Sequence, residues 1–269
     1  MKRLFSLLLT FALAFVLVGC GAKTEAPATK APVVTTTKAP VTTVAPKTID
    51  PEQYTKFMAI EDGTENVVVE SYILAKTAKN EWGNVNLYLG DANGGYYVYR
   101  MDVTETQYDE LAIGKKVKIT GTKTSWRGES EFEEKSAKYE MMEGTYTPTA
   151  LDLTESFADV DALAQKNNFF VEFKGLTVAA QQIEGDDTQY AWLYGWDGSG
   201  TEGSDLYIKF TKGETSYVFL VESDLCGVDT DVYKALKELT VGVMVDVEGF
   251  LYFYNGPQMH ITKVTVVAS

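Results

Sequence analysis

The sequence predicts a mainly β protein with two tandem five-stranded barrels, each preceded by a helix and each with a helix between its third and fourth strands. Two observations predict it. Short runs rich in Val, Ile, Tyr and Phe, bounded by Gly, Asn and Asp, recur through the last two hundred or so residues, which is strand composition. The second half of that region also repeats the first at a fixed spacing, the signature of a duplicated unit.

The N-terminus comes before either unit. Lys2 and Arg3 precede an apolar run from Leu4 to Val18 and a small Gly19, a pattern that reads as a secretory signal over 1–19. That run is about 15 residues, short of the roughly 20 a spanning helix needs. Leu17-Val18-Gly19-Cys20 resembles the lipobox of bacterial lipoproteins. The resemblance implies cleavage before Cys20, lipidation of its thiol with acyl chains such as palmitate, and a protein held by lipid on the extracytoplasmic face of the cell membrane. Two acyl chains anchor stably where one holds only marginally. Residues 20–49 then read as the lipid anchor and a disordered tether of Thr, Pro, Ala and Lys, with no aromatic to build a core.

Asp50-Pro51-Glu52-Gln53 opens the folded part as a helix start, with Asp50 as cap, Pro51 at the first position and Gln53 closing a capping box. Strands are expected at Val67–Ala75, Val85–Leu89, Tyr96–Met101, Lys115–Lys123 and Glu131–Met141. Thr104 and Gln107 form a second capping box between the third and fourth runs. Leu111, Ile113, Gly114, Val117, Ile119, Gly121 and Gly128 then recur 128 residues later as Leu239, Val241, Gly242, Val245, Val247, Gly249 and Gly256. The earlier strands match less closely: Val67–Ala75 with Phe170–Ala179, and Tyr97-Val98-Tyr99 with Tyr217-Val218-Phe219. Helices are expected over Ser156–Lys166 and Asp231–Leu239. The domains are therefore 50–145 and 151–269.

Five strands with a helix between the third and fourth is the order of the OB-fold, a small Greek-key barrel. The glycines fit that scheme. Gly114 and Gly242 stop a helix, Gly121 and Gly249 sit where a barrel strand bends, and Gly128 and Gly256 supply hairpin turns. Leu87 to Tyr99, followed by Leu111-x-Ile113-Gly114-x-x-Val117-x-Ile119-x-Gly121, resembles the OB-like domains appended to bacterial extracellular nucleases and phosphoesterases. That resemblance implies an accessory role beside such an enzyme. The second half departs from the pattern, with an insertion after Asp197-Gly198-Ser199-Gly200.

Charge and motifs exclude more than they identify. Residues 50–269 hold 18 Lys and Arg against 37 Asp and Glu, a net of −19, whereas residues 21–49 carry +3. A basic tether suits an anionic membrane surface, and an acidic body repels phosphate backbones. Cys226 is left without a cysteine partner once Cys20 is lipidated, which leaves no disulfide framework. His260 is the only histidine, so a multi-histidine metal site is excluded, and it reads as a packed or rim side chain. No P-loop, G-x-S-x-G elbow or dinucleotide fingerprint occurs. No cofactor is implied, and the two barrels leave no room for an enzyme domain. Asp197, Ser199 and Asp205 supply oxygens at alternating positions, as calcium loops do. Glu202 and Ile208 break the EF-hand pattern, so the stretch reads first as a polar loop.

Aromatic residues are the stronger lead. An OB barrel presents ligands on strands two and three and on the loops joining strands one to two and four to five. Trp82, Asn86, Tyr88, Trp126 and Arg127 fall at those places, where they could stack a sugar, a base or a peptide side chain. The sequence is thus read as a membrane-tethered, non-catalytic binding or scaffold module. Its ligand is expected to be a glycan or peptide rather than nucleic acid, and a partner protein is possible. The alternative is a nucleic-acid or nucleotide-binding accessory subunit of an extracellular nuclease or phosphoesterase, and the third reading is an acidic hydrolase.

Overall fold

The computed structural model describes residues 49–267. The signal run, Cys20 and the tether up to residue 48 lie outside the described residues.

The first half begins with α1 (Gln53–Met58). The expected capping box is absent. Asp50 Oδ1 instead accepts the Glu52 N–H at 2.9 Å, and Gln53 Nε2 donates to the Glu70 carbonyl and the Tyr96 hydroxyl, both at 2.9 Å. Gln53 thereby ties the helix to β1 (Val67–Lys76). β2 (Asn84–Gly90) and β3 (Gly95–Asp102) follow as predicted. α2 (Glu105–Glu110) carries the predicted box between Thr104 and Gln107. β4 (Lys115–Gly121) and β5 (Lys123–Trp126) are separated by Thr122 alone. The run expected over Glu131–Met141 is two strands, β6 (Glu129–Phe132) and β7 (Lys138–Thr145). The Ser136 N–H and hydroxyl both bond the Glu133 carbonyl and turn the chain between them.

The second half opens with β8 (Leu151–Asp152), a 3-10 turn and α3 (Val160–Ala164). This helix is shorter than the span expected from Ser156 to Lys166. β9 (Phe170–Ala179), β10 (Trp192–Tyr194), β11 (Leu206–Lys212) and β12 (Thr215–Val221) come next. α4 (Asp231–Lys237), β13 (Met244–Phe250) and β14 (His260–Val266) complete it.

The protein is mainly β, with tandem sheets and flanking helices. The sheets differ in one respect that the sequence did not reveal. In the second, β11, β12, β14, β13 and β9 pair in turn, and β11 also pairs with β9, so five strands close into a barrel in OB order. In the first, the order runs β5, β6, β3, β2, β1, β4, β7 with no closing ladder. The expectation of two closed five-stranded barrels is corrected accordingly. β7 takes the outer edge of β4, and the first sheet stays open.

The repeat is nonetheless real in space. Val98 pairs in parallel with Phe132, as Leu220 does with His260. That pairing matches Val98 to Leu220 and shifts the weaker third-strand alignment by two residues. Gly249 owes its place to close approach, since a Cβ there would lie 2.1 Å from the His260 carbonyl oxygen. The equivalent hairpins meet: the Asn255 N–H donates to the Arg127 carbonyl at 2.7 Å.

The two halves are joined by buried polar groups. The Tyr54 hydroxyl donates to the Asn167 carbonyl at 3.0 Å. Asn167 Nδ2 donates to Glu129 Oε2 at 2.8 Å, and the Phe253 N–H reaches the same oxygen at 2.9 Å. Burial holds the Glu129 carboxyl well above the usual range.

Glu131, on the same short strand and 6% exposed, is pushed up to about 7 by burial. A carboxyl raised on folding stabilises fully below its unfolded value near 4.5 and loses that contribution as pH rises to about 7. The loss is about 3 kcal/mol. Urea unfolding against pH should show this decline in the wild type and not in Glu131→Gln. Parallel profiles for the two proteins would refute it.

Candidate functional site

A cleft of about 820 Å³ lies between the outer face of β2 and β3 and the strands β11, β12 and β14 of the second barrel. This volume is within the usual range of small-molecule sites. Alternation places its first wall. On β3, Tyr96 and Val98 are buried in the core of the first half, which turns Tyr97 and Tyr99 outward into the cleft. The ladder slips between Val85 and Leu87, and opposite it Arg100 takes a left-handed φ of 46°. Asn86 Oδ1 accepts the Arg100 N–H at 2.9 Å and holds this bulge. Bulges re-aim side chains, and here both Tyr99 and Arg100 line the cleft.

Tyr207, Tyr252, Tyr254 and Trp196 line the opposite side. Burial raises the Tyr97 and Tyr252 phenols and takes that of Tyr207 to about 12, so all three remain neutral hydroxyls near pH 7. The Arg100 guanidinium lies 5.0 Å from the Tyr99 ring and 5.9 Å from that of Trp82, and it pairs with Glu134 at 3.5 Å. Asp205, Glu222 and Asp224 also line the cleft.

At its base lies a three-residue network. The Tyr88 hydroxyl donates to Glu222 Oε2 at 2.5 Å and lies 2.6 Å from His260 Nδ1. A hydroxyl carries one proton, so the proton between the two rings sits on Nδ1. Nδ1 is also 3.2 Å from Glu222. Burial raises the Glu222 carboxyl, but hydrogen bonds from His260, Tyr88 and Asn86 together with the His260 charge outweigh it and hold the group below its ordinary value. His260 stacks on Tyr252 at 4.4 Å, and Tyr88 stacks on Phe250 at 4.5 Å.

The residues expected to form one binding face are therefore divided. Trp82, 68% exposed, and Asn86 line the cleft. Tyr88 does lie outside the main core, yet it is buried against the second half. Trp126 and Arg127 stand on the β5–β6 hairpin outside the cleft. Arg127 lies 5.0 Å from Tyr254, which does line it. Tyr97, Tyr99, Tyr207, Trp196, Tyr252 and Tyr254 also line the cleft and were not among the candidates named from the sequence. Their signal was present only in part, as aromatics on third strands and equivalent hairpins.

The acidic loop residues are engaged separately, Asp197 in a local turn and Asp205 across the fold. Asp197 Oδ1 accepts both the N–H and the hydroxyl of Ser199. Asp205 Oδ1 accepts both from Ser223 at 2.8 Å. Cys226 is buried and free, and burial pushes its thiol up to about 11, which suits an inert packed side chain. Among the described residues no group of three or more His, Cys, Asp or Glu is placed to hold a metal, and none forms a helix long and apolar enough to cross a membrane.

No family model and no curated protein matches the chain. It is similar to several solved structures. The Ifi202 HINa domain in complex with 20-base-pair double-stranded DNA is 10% identical, covers 76% of this chain and 96% of its own, and has a TM-score of 0.33. A replication protein A heterotrimer bound to single-stranded DNA is 8% identical over 79% of this chain and 51% of its own, with a TM-score of 0.29. The single-stranded DNA binding protein from Thermus aquaticus is 12% identical over 78% and 95%, with a TM-score of 0.23. Likeness at this level transfers neither a ligand nor a residue role. It does correct one expectation. A glycan or peptide was preferred to nucleic acid because residues 50–269 are acidic, whereas these similar structures are of DNA-binding proteins.

Proposed function

We propose that the protein is a non-catalytic module that takes an unpaired nucleobase, free or in a single strand, into the cleft between its two halves. The observation that carries this reading is the aromatic lining of the cleft, with Tyr97 and Tyr99 on one side and Trp196, Tyr207 and Tyr252 on the other. Flat rings on both walls accept the face of any base, and such stacking is worth about 1–3 kcal/mol per base. The acidic surroundings keep phosphates at the mouth, so affinity comes from stacking rather than from counterion release.

Trp196 is 77% exposed and tests this without disturbing the core. Trp196→Ala is expected to weaken binding of a short single-stranded oligonucleotide by about 1–3 kcal/mol and to leave the melting temperature nearly unchanged. Trp126→Ala, on the outer hairpin, should change neither. Binding should depend only weakly on salt between 50 and 200 mM, where phosphate-dominated binding falls steeply. Equal affinity in wild type and Trp196→Ala would contradict the reading.

The tether belongs to the same proposal, and the Leu17–Cys20 motif supports it. A lipidated Cys20 would hold this module on the extracytoplasmic face, as an accessory to enzymes acting there. Cys20→Ser should move the protein from the membrane fraction to the soluble one. Retention of that variant in the membrane fraction would contradict lipid anchoring.

A further inference from the structure

We propose that Arg100 is the phosphate anchor of the cleft: its guanidinium exchanges Glu134 for the phosphate attached to the stacked base. The ligand is then a nucleotide, free or within a strand, and not a bare base or nucleoside. This rests on the nucleobase reading above.

Arg100 is the one Lys or Arg among the residues lining the cleft, and its side chain is 39% exposed, where water and a phosphate reach it. Asp205, Glu222 and Asp224 line the cleft as well and repel an anion elsewhere in it. The guanidinium lies over the Tyr99 and Trp82 rings. Rings take only its faces, and its N–H donors point outward in the plane. Its charged partner among the described residues is Glu134, 3.5 Å from one terminal nitrogen and itself 42% exposed. That is one long contact rather than the two-bond fork a guanidinium makes with a well-placed oxyanion. An exposed pair of this kind is held weakly. Glu134 therefore marks where an anion sits on Arg100, and a nucleotide brings a phosphate that can accept the full fork.

The backbone supplies an independent observation. Arg100 is held at a left-handed φ of 46°, which glycine adopts freely and arginine rarely does. A short chain of polar contacts imposes it. The Asn86 N–H donates to the Thr77 hydroxyl at 2.9 Å, and Asn86 Oδ1 accepts the Arg100 N–H at 2.9 Å. The Asn86 side chain also bonds Glu222 at the base of the cleft. Strained backbone of this kind persists only where its surroundings over-determine it, and it collects at binding sites. The bulge alone would be served better by glycine, so what arginine adds here is its side chain. Asn86 ties that side chain's origin to the floor of the cleft, as a fixed anchor requires.

Calorimetric titration of the full-length protein with the four ribonucleosides and their 3′- and 5′-monophosphates tests this. For the base that binds, one of its two monophosphates should bind about tenfold more tightly than the nucleoside, the worth of one charge-assisted hydrogen bond. Arg100→Gln should abolish that preference while still binding the nucleoside, with folding checked by circular dichroism. Glu134→Gln frees the guanidinium and should raise monophosphate affinity about two- to fivefold, a gain that misfolding would not produce. Salt adds a further readout: one phosphate neutralised on a single strand predicts a fall of about threefold between 50 and 200 mM, absent in Arg100→Gln. Equal affinity for nucleoside and monophosphates, or a monophosphate preference that survives in Arg100→Gln, would overturn the anchor and leave the base reading standing. Failure of every nucleoside and every monophosphate to bind would overturn both.

Discussion

Gly95→Ala is expected to cost at least about 3 kcal/mol of folding stability, more than the usual overpacking substitution. Gly95 begins β3, and a Cβ there would stand 2.0 Å from the Asn168 carbonyl oxygen and 2.6 Å from the Phe169 nitrogen. Both atoms are backbone of the other half, so no rotamer change relieves the clash. The joint itself would have to open, and with it the bonds from Asn168 Nδ2 to the Ser130 carbonyl at 2.7 Å and from Asn167 to Glu129. Urea unfolding measures the loss. A midpoint within error of the wild type would mean that the halves are not packed as described.

Glu222→Ala is the second large expected effect, about 3–5 kcal/mol, because removing the carboxylate strands the buried Tyr88 hydroxyl and His260 ring that bond to it. His260 would lose its carboxylate and Tyr88 its acceptor in a region where both rings are buried. Glu222→Gln keeps one acceptor and should cost less. The pH dependence has the opposite sign to that of Glu131. Glu222 is held below its ordinary value, so its contribution is present above about pH 4.5 and is lost as pH falls through the folded value. The wild type should lose this increment in acid, and Glu222→Ala should lack it. A double-mutant cycle with His260→Ala separates the pair from the rest. Additive losses would show that the two side chains do not act together.

Much of the fold was legible because its signals are local. The Thr104–Gln107 box, the alternation along β2 and β3, and the seven residues repeated from Leu111 to Gly128 each depend on neighbours close in sequence. What was not legible depends on long-range pairing. Nothing in Glu131–Met141 reveals that it breaks at Ser136 and that β7 crosses to the edge of β4. The extra β11–β9 pairing that closes one sheet and not the other is likewise invisible along the chain.

The site shows the same division. Asn86 and Trp82 were named because strand two and its loop are standard binding positions of an OB barrel, and both line the cleft. Tyr88 was read as part of an open face because its burial comes from Phe250, well over a hundred residues away in sequence. The cleft exists only where the two halves meet, so its second wall could not be read from either repeat alone. Lipidation of Cys20 and the tether lie outside the described residues; the first stands on the lipobox and the second on composition.

The central claim is that a base lies between the tyrosines of the two halves. The most direct measurement is a crystal structure of the protein with a short single-stranded oligonucleotide. A base stacked within about 4 Å of the Tyr97, Tyr207 or Tyr252 ring, with its phosphates at the cleft mouth, is the predicted result. An oligonucleotide bound elsewhere on either sheet while the cleft holds only water would contradict it.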